Sequence, residues 1–124
     1  MSDTLRGVVV CHGALAGALV DAVERITGLR GLLVPVSNAD CDRGGLEERI
    51  SAAIGGQPAV VFVDMPSGSC LIAALHRLRD EHGIRIVTGV NLAMLVDFVF
   101  HPGGLPGEAA DRAVSAGERA IRIP

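Results

Sequence analysis

The stretch Gly7-Val8-Val9-Val10-Cys11-His12-Gly13-Ala14-Leu15-Ala16-Gly17-Ala18-Leu19 decides the fold. Its first five residues form an apolar, β-branched run between Arg6 and His12, which reads as a buried strand. From residue 14 the period changes. Residues 14–27 read as a helix with Leu15, Leu19, Ala22, Val23 and Ile26 on one face, Asp21, Glu24 and Arg25 on the other, and Gly28 as C-cap. A strand that hands over directly to a helix puts His12 at the carboxyl edge of a sheet, where open α/β proteins bind ligands. The helix N-terminus supplies unpaired N–H groups and partial positive charge, which favour a neutral ring and a nearby anion. A neutral imidazole beside an anion site is a candidate nucleophile toward phosphate. The plainer alternative is a polar residue that ends a strand.

Outward from this stretch the same alternation repeats. Leu32-Leu33-Val34-Pro35-Val36 reads as a second strand, and its proline suits a sheet edge. A polar loop from Asn38 to Gly45 precedes a helix with Leu46, Ile50, Ala53 and Ile54 inward. Ala59-Val60-Val61-Phe62-Val63 is a third strand closed by Asp64, followed by a helix near 70–82; Ile84-Arg85-Ile86-Val87 is a fourth, followed by helices over 92–100 and 107–119. Such βα units predict an α/β fold, a doubly wound four-stranded parallel sheet in the order 2-1-3-4 with helices on both faces. In that order the winding reverses between strands one and three, so His12 and Asp64 meet at one crevice. Ala120-Ile121-Arg122-Ile123 alternates like a half-buried strand and is a candidate antiparallel edge strand.

Bulk properties bound the rest. At 124 residues, residues 1–124 read as one domain. The chain is 49% hydrophobic and 20% charged, a globular composition. Its only aromatics are Phe62, Phe98 and Phe100, too few for stacking on single-stranded nucleic acid. A net charge of −3 without a basic block argues against duplex nucleic acid and anionic membranes as partners. All eleven basic residues are arginine, which excludes lysine Schiff-base and P-loop chemistry. An odd set of cysteines (Cys11, Cys41, Cys70), no leader and no apolar run of about 18 residues lead us to expect a cytoplasmic protein with no membrane insertion.

An imidazole attacks phosphorus through one nitrogen while the other keeps a proton, and Asp64 can accept that proton from His12. The carboxylate favours the charged ring and the helix end the neutral one, so the two oppose. As an alternative, Asp64 is a capping or turn residue. Ser67, Gly68 and Ser69 open the next helix and can bind phosphoryl oxygens, or provide an ordinary serine N-cap. Gly13 and Asn91 are candidate crevice walls, Asn91 also reading as the N-cap of the helix at Leu92. Alternation sends Cys11 and His12 to opposite faces, which argues against a Cys–His dyad. His76 reads as solvated, His82 as a helix C-terminal residue and His101 as a loop residue. No spacing indicates a metal site, and no Gly-x-Gly-x-x-Gly follows the first strand, so neither metal nor dinucleotide cofactor is expected.

Val-Cys-His-Gly-Ala-Leu-Ala (10–16), Val-Asp-Met-Pro-Ser-Gly-Ser (63–69) and Val-Thr-Gly-Val-Asn-Leu-Ala-Met-Leu (87–95) together resemble the enzyme IIA components of mannose-type phosphoenolpyruvate-dependent sugar phosphotransferase systems. The resemblance covers essentially the whole chain, and the Thr-Gly-Val-Asn-Leu-x-Met-Leu segment is its most specific part. It implies a phosphocarrier in which His12 takes a phosphoryl group from HPr and passes it to a IIB component. It puts the family's orienting aspartate at Asp64 and its phosphate-side serine at Ser69. It also implies a homodimer that exchanges a C-terminal strand, here Ala120–Ile123. The chain departs from the family where Ser67 replaces a glycine, Cys70 a proline, Leu71 an aromatic and Ile72 an asparagine. Those changes lie where a partner would dock and open a regulatory role without a permease. Two rivals remain: by resemblance, the related phosphoryl-donor subunit of a dihydroxyacetone kinase system, and, from the residues, a non-catalytic module that binds an anion or a signalling partner.

Overall fold

The structure is a computed structural model and describes residues 4–124. Strands β1 (Arg6–Cys11), β2 (Leu33–Ser37), β3 (Ala59–Val63) and β4 (Ile84–Thr88) form one parallel sheet in the order β2-β1-β3-β4. Helices α1 (Leu15–Thr27), α2 (Arg43–Ile54), α3 (Ser69–Leu78), α4 (Leu92–Phe100) and α5 (Pro106–Arg119) cover both faces.

Period-two alternation divides the core. Val9 and Cys11 of β1, with Val60 and Phe62 of β3, pack toward α1, α4 and α5. Val8 and Val10, with Val61 and Val63, pack toward α2 and α3. Because β1 and β3 are covered on both faces, their side chains are apolar at nearly every position. β2 is an edge strand, and there Pro35 leaves no central ladder donor missing.

Close packing on the first face depends on one missing side chain. A Cβ at Gly7 would lie 2.6 Å from Leu33 Cδ2 and 2.7 Å from Phe98 Cε2. Phe98 in turn meets Phe62 edge-on at 5.4 Å between ring centroids. Gly7→Ala should therefore overpack the core and cost about 1–3 kcal/mol. Chemical denaturation would show this as a lowered midpoint, and an unchanged midpoint would mean that the ring moves aside freely.

Several elements differ from the sequence reading. α1 buries Ala16, Val20 and Val23; of the expected stripe Val23 is buried and Leu19 packs partly buried against the core, whereas Leu15 and Ile26 are exposed. Both stripes have helical spacing, and the one with smaller side chains sits closer to the sheet. α2 begins at Arg43, because Asp42 accepts a hydrogen bond from Gly45 N at 2.8 Å and caps it. α3 ends at Leu78, its last buried residue, and not near 82; the polar residues that follow have no core face to extend. Residues 120–124 form no strand on their own sheet, and Ile121 and Ile123 are 77% and 100% exposed.

Candidate functional site

The strand order sets the site. Reversal of winding between β1 and β3 leaves their carboxyl ends uncovered side by side, with the start of α3 above them. His12 follows Cys11 on β1. Alternation turns Cys11 into the α1/α4/α5 core and His12 toward α3.

Asp64 follows β3 and holds His12 twice. Its Oδ2 accepts the His12 backbone N–H at 2.9 Å and lies 2.7 Å from ring Nδ1. The carboxylate is 8% exposed and the imidazole 41%. The second oxygen, Oδ1, is buried and has no hydrogen-bond partner. Burial alone would raise the Asp64 pKa. The hydrogen bonds from the His12 backbone and ring, the charge of that ring and Asp64's own N–H outweigh it, so the carboxyl lies below its ordinary value. A carboxylate beside Nδ1 fixes the tautomer with Nδ1 protonated and leaves Nε2 with its lone pair.

A depressed folded-state pKa contributes stability above the unfolded value of about 3.9, and that contribution is lost as pH falls through the lower folded value. Thermal melts of wild type and Asp64→Asn should therefore diverge near neutrality and converge in acid. A gap that stays constant with pH would show that the pairing is not what the carboxylate contributes.

Nε2 faces the N-terminus of α3. Ser69 Oγ lies 3.5 Å from it, and a Cβ at Gly68 would lie 3.6 Å from both Nε2 and Cε1. Gly68 has φ +91°, a conformation side chains disfavour, and it is the helix N-cap with no side-chain capping bond. The first-turn N–H groups of α3 are consequently free of a capping serine and open toward the imidazole. Ser69 is turned instead to the ring and accepts a hydrogen bond from Asn38 Nδ2 at 3.1 Å. Ser67 is exposed beside it.

Two residues to which the sequence reading assigned no role complete the site. Asn38, just past β2, receives the Gly13 N–H on Oδ1 at 3.0 Å and donates to Ser69 from its other end. Ser37 donates to the Gly13 carbonyl at 2.6 Å. Together they pin the turn after His12 to the start of α3. A polar pair closing the edge strand adjacent to β1, Ser37 as its last residue and Asn38 just beyond, was the available sequence signal.

Asn91 sits elsewhere. Its Oδ1 accepts from Met94 N at 3.0 Å, capping α4, and its Nδ2 donates to the Gly117 carbonyl at 3.2 Å. The side chain serves the α4–α5 packing and is not brought to the imidazole. The other histidines are also apart from the site: His76 Nδ1 lies 3.0 Å from Glu47 Oε1, His101 donates to the Asp97 carbonyl at 2.9 Å, and His82 lies exposed in the turn between α3 and β4, beyond the end of α3 where it was expected.

A buried thiol adjoins the imidazole. Cys70 Sγ lies 3.7 Å from His12 Nδ1. Burial, then the charge of Asp64, push its pKa up to about 11, and the same causes push Cys11 up to about 12. Neither is a thiolate nucleophile near neutrality. Among the described residues, His12, Asp64 and Cys70 are the side chains that could jointly hold a metal ion, with donor atoms all within 4.8 Å of one another.

The site is thus a histidine held by a buried carboxylate and facing a helix N-terminus, at the switch point of the parallel sheet of an α/β domain. The chain belongs to the PTS system fructose IIA component family, which it matches over residues 7–104, and so to a family of phosphotransferase-system components. Its fold is similar to that of phosphotransferase system component EIIA from Streptococcus agalactiae, with TM-score 0.88 and 16% identity over 96% of each chain. It is also similar to the mannose/sorbose specific IIA subunit from Enterococcus faecalis, with TM-score 0.85 and 21% identity over 98% of this chain and 95% of that one. A third similar structure is the PTS IIA protein associated with the fucose utilization operon from Streptococcus pneumoniae, with TM-score 0.78 and 19% identity over 99% and 96% of the two chains. At these identities the likeness is one of fold. No curated protein sequence matches the chain. Among the described residues no helix is long and apolar enough to cross a membrane.

Proposed function

We propose that the whole chain, as one domain, is a phosphocarrier that accepts a phosphoryl group from phospho-HPr on His12 Nε2 and passes it to a IIB component, in sugar uptake or its regulation. The observation that carries this reading is the division of labour on one ring. Nδ1 is engaged by Asp64 at 2.7 Å, while Nε2 faces the open α3 N-terminus at Ser69.

The transfer follows from that division. The Nε2 lone pair attacks phosphorus, the donor's N–P bond breaks, and its electron pair returns to the donor imidazole. The phosphorylated His12 ring keeps its Nδ1 proton and becomes cationic, and Asp64 stabilises that charge. Phosphoryl oxygens receive hydrogen bonds from the Gly68 and Ser69 N–H groups and from the hydroxyls of Ser67 and Ser69. Gly13, at φ +58°, supplies the left-handed turn that follows His12. Onward transfer reverses these steps, returning the N–P pair to Nε2. Incubation with phosphoenolpyruvate, enzyme I and HPr should give an acid-labile mass gain of one phosphoryl group, located on Nε2. No gain with active partner proteins would sink the reading.

The same reading includes a homodimer with an exchanged C-terminal strand. β4 has an open edge, and the groove between it and α5 is lined by Arg85, Val87, Gly107, Ala110 and Val114. Ile121 and Ile123 project into solvent. Laying this tail along a partner's β4 would satisfy the edge and bury both isoleucines, each worth roughly 1.5–3 kcal/mol if fully removed from water. Light scattering should show a dimer for the full chain and a monomer for a version ending at Ala120. Monomers in both cases at micromolar concentration would exclude the exchange.

A further inference from the structure

We propose that His12, Asp64 and Cys70 form a binding site for a borderline-soft divalent cation, of which Zn2+ is the type, and that the bound ion silences the acceptor nitrogen. Imidazole, carboxylate and thiolate are a donor set suited to such an ion. Three elements bring them together: the ends of β1 and β3 and the first turn of α3.

The distances suit a tetrahedral ion. With Zn–N and Zn–S bonds of about 2.0–2.3 Å, the nitrogen–sulfur edge of a tetrahedron is about 3.6 Å, against 3.7 Å between Nδ1 and Cys70 Sγ. The Nδ1–Oδ2 separation of 2.7 Å is a hydrogen-bond length. Replacing that proton by an ion widens it toward the about 3.3 Å expected of a nitrogen–oxygen edge. A second, independent feature points the same way: Asp64 Oδ1 is buried with no partner, while Oδ2 keeps the His12 backbone N–H. An ion reaching this carboxylate gives the orphaned oxygen a counter-charge. The half-exposed imidazole is the way in, and solvent takes the fourth position.

The proton balance sets the consequence. The ion takes the Nδ1 lone pair and the Cys70 sulfur. The thiol proton is released to solvent, and the ring's single proton moves from Nδ1 to Nε2. Nε2 then has no lone pair to offer. That last consequence for phosphotransfer rests on the phosphocarrier reading above; the binding site does not.

Co2+ titration of the reduced full-length chain tests the site directly. One ion per chain should bind with a sulfur-to-cobalt charge-transfer band that Zn2+ displaces. The band should vanish in Cys70→Ser and His12→Ala and survive in Cys41→Ser. Removing a ligand should weaken Zn2+ binding by at least about 10–100-fold, the range seen for loss of mere supporting contacts. His12→Ala removes a half-exposed ring, so it controls for a Cys70 variant that fails to fold. Nitrogen-15 resonances of His12 should report a metallated Nδ1 and a protonated Nε2. Absence of the band in wild type, or its persistence in Cys70→Ser, overturns the site; an unprotonated Nε2 in the loaded protein overturns the silencing. If the chain accepts no phosphoryl group from HPr, the phosphocarrier reading falls while the spectra still decide the site.

Discussion

His12→Ala should abolish acid-labile phosphorylation by phospho-HPr while leaving the fold intact. The imidazole is 41% exposed and contributes no core packing. Its removal deletes one hydrogen bond to Asp64, but the backbone N–H of residue 12 still reaches Oδ2. A cost of about 1–2 kcal/mol is expected from that loss, small enough for a cooperative melt to persist. The effect on transfer is of another order, because no other described group combines a free imidazole nitrogen with an open helix N-terminus. His76 is paired with Glu47 and His101 is tied to the end of α4. Intact-mass measurement before and after acid treatment would read the result. Label that persists in His12→Ala would move the acceptor to one of the remaining histidines and dismantle the site as drawn.

Strand order was legible because alternating βα units with right-handed crossovers favour the doubly wound order 2-1-3-4; the continuous apolar run Val8-Val9-Val10-Cys11 marked a strand covered on both faces, though not which layer each side chain enters. The pairing of His12 with Asp64 followed from topology alone, since both end strands that must be neighbours. What was illegible has physical reasons. The inward face of α1 was only partly legible, because the expected stripe Leu15/Leu19/Ala22/Val23/Ile26 and the buried set Ala16/Val20/Val23 share Val23 and have similar helical spacing. Hydropathy favours the larger side chains, whereas packing distance favoured the smaller. Cys70 presents the reverse case. Local alternation removed Cys11 from the imidazole, but nothing local could bring in a thiol 58 residues away. Asn38 was hidden for the same reason: its role exists only once β2 lies beside β1.

Asp64→Asn should leave an acceptor histidine that is present but poorly stabilised. The amide oxygen can still receive the His12 backbone N–H, so the strand end keeps its anchor. Oδ2 makes both contacts, so that same oxygen also faces ring Nδ1 and accepts its proton as a neutral partner. The charge is lost, and the phosphorylated ring, cationic with its Nδ1 proton, no longer has a carboxylate beside it. Histidine–carboxylate pairs of this kind contribute on the order of 10²–10⁴-fold in rate, and a slowing within that range is expected. The slowing should fall on the transfer step and not on docking of HPr, since Asp64 is 8% exposed and has almost no surface for a partner to touch. Single-turnover transfer from phospho-HPr at saturating donor isolates that step. Wild-type rates in Asp64→Asn would mean that the aspartate only fastens two strand ends together and that its charge contributes nothing to transfer.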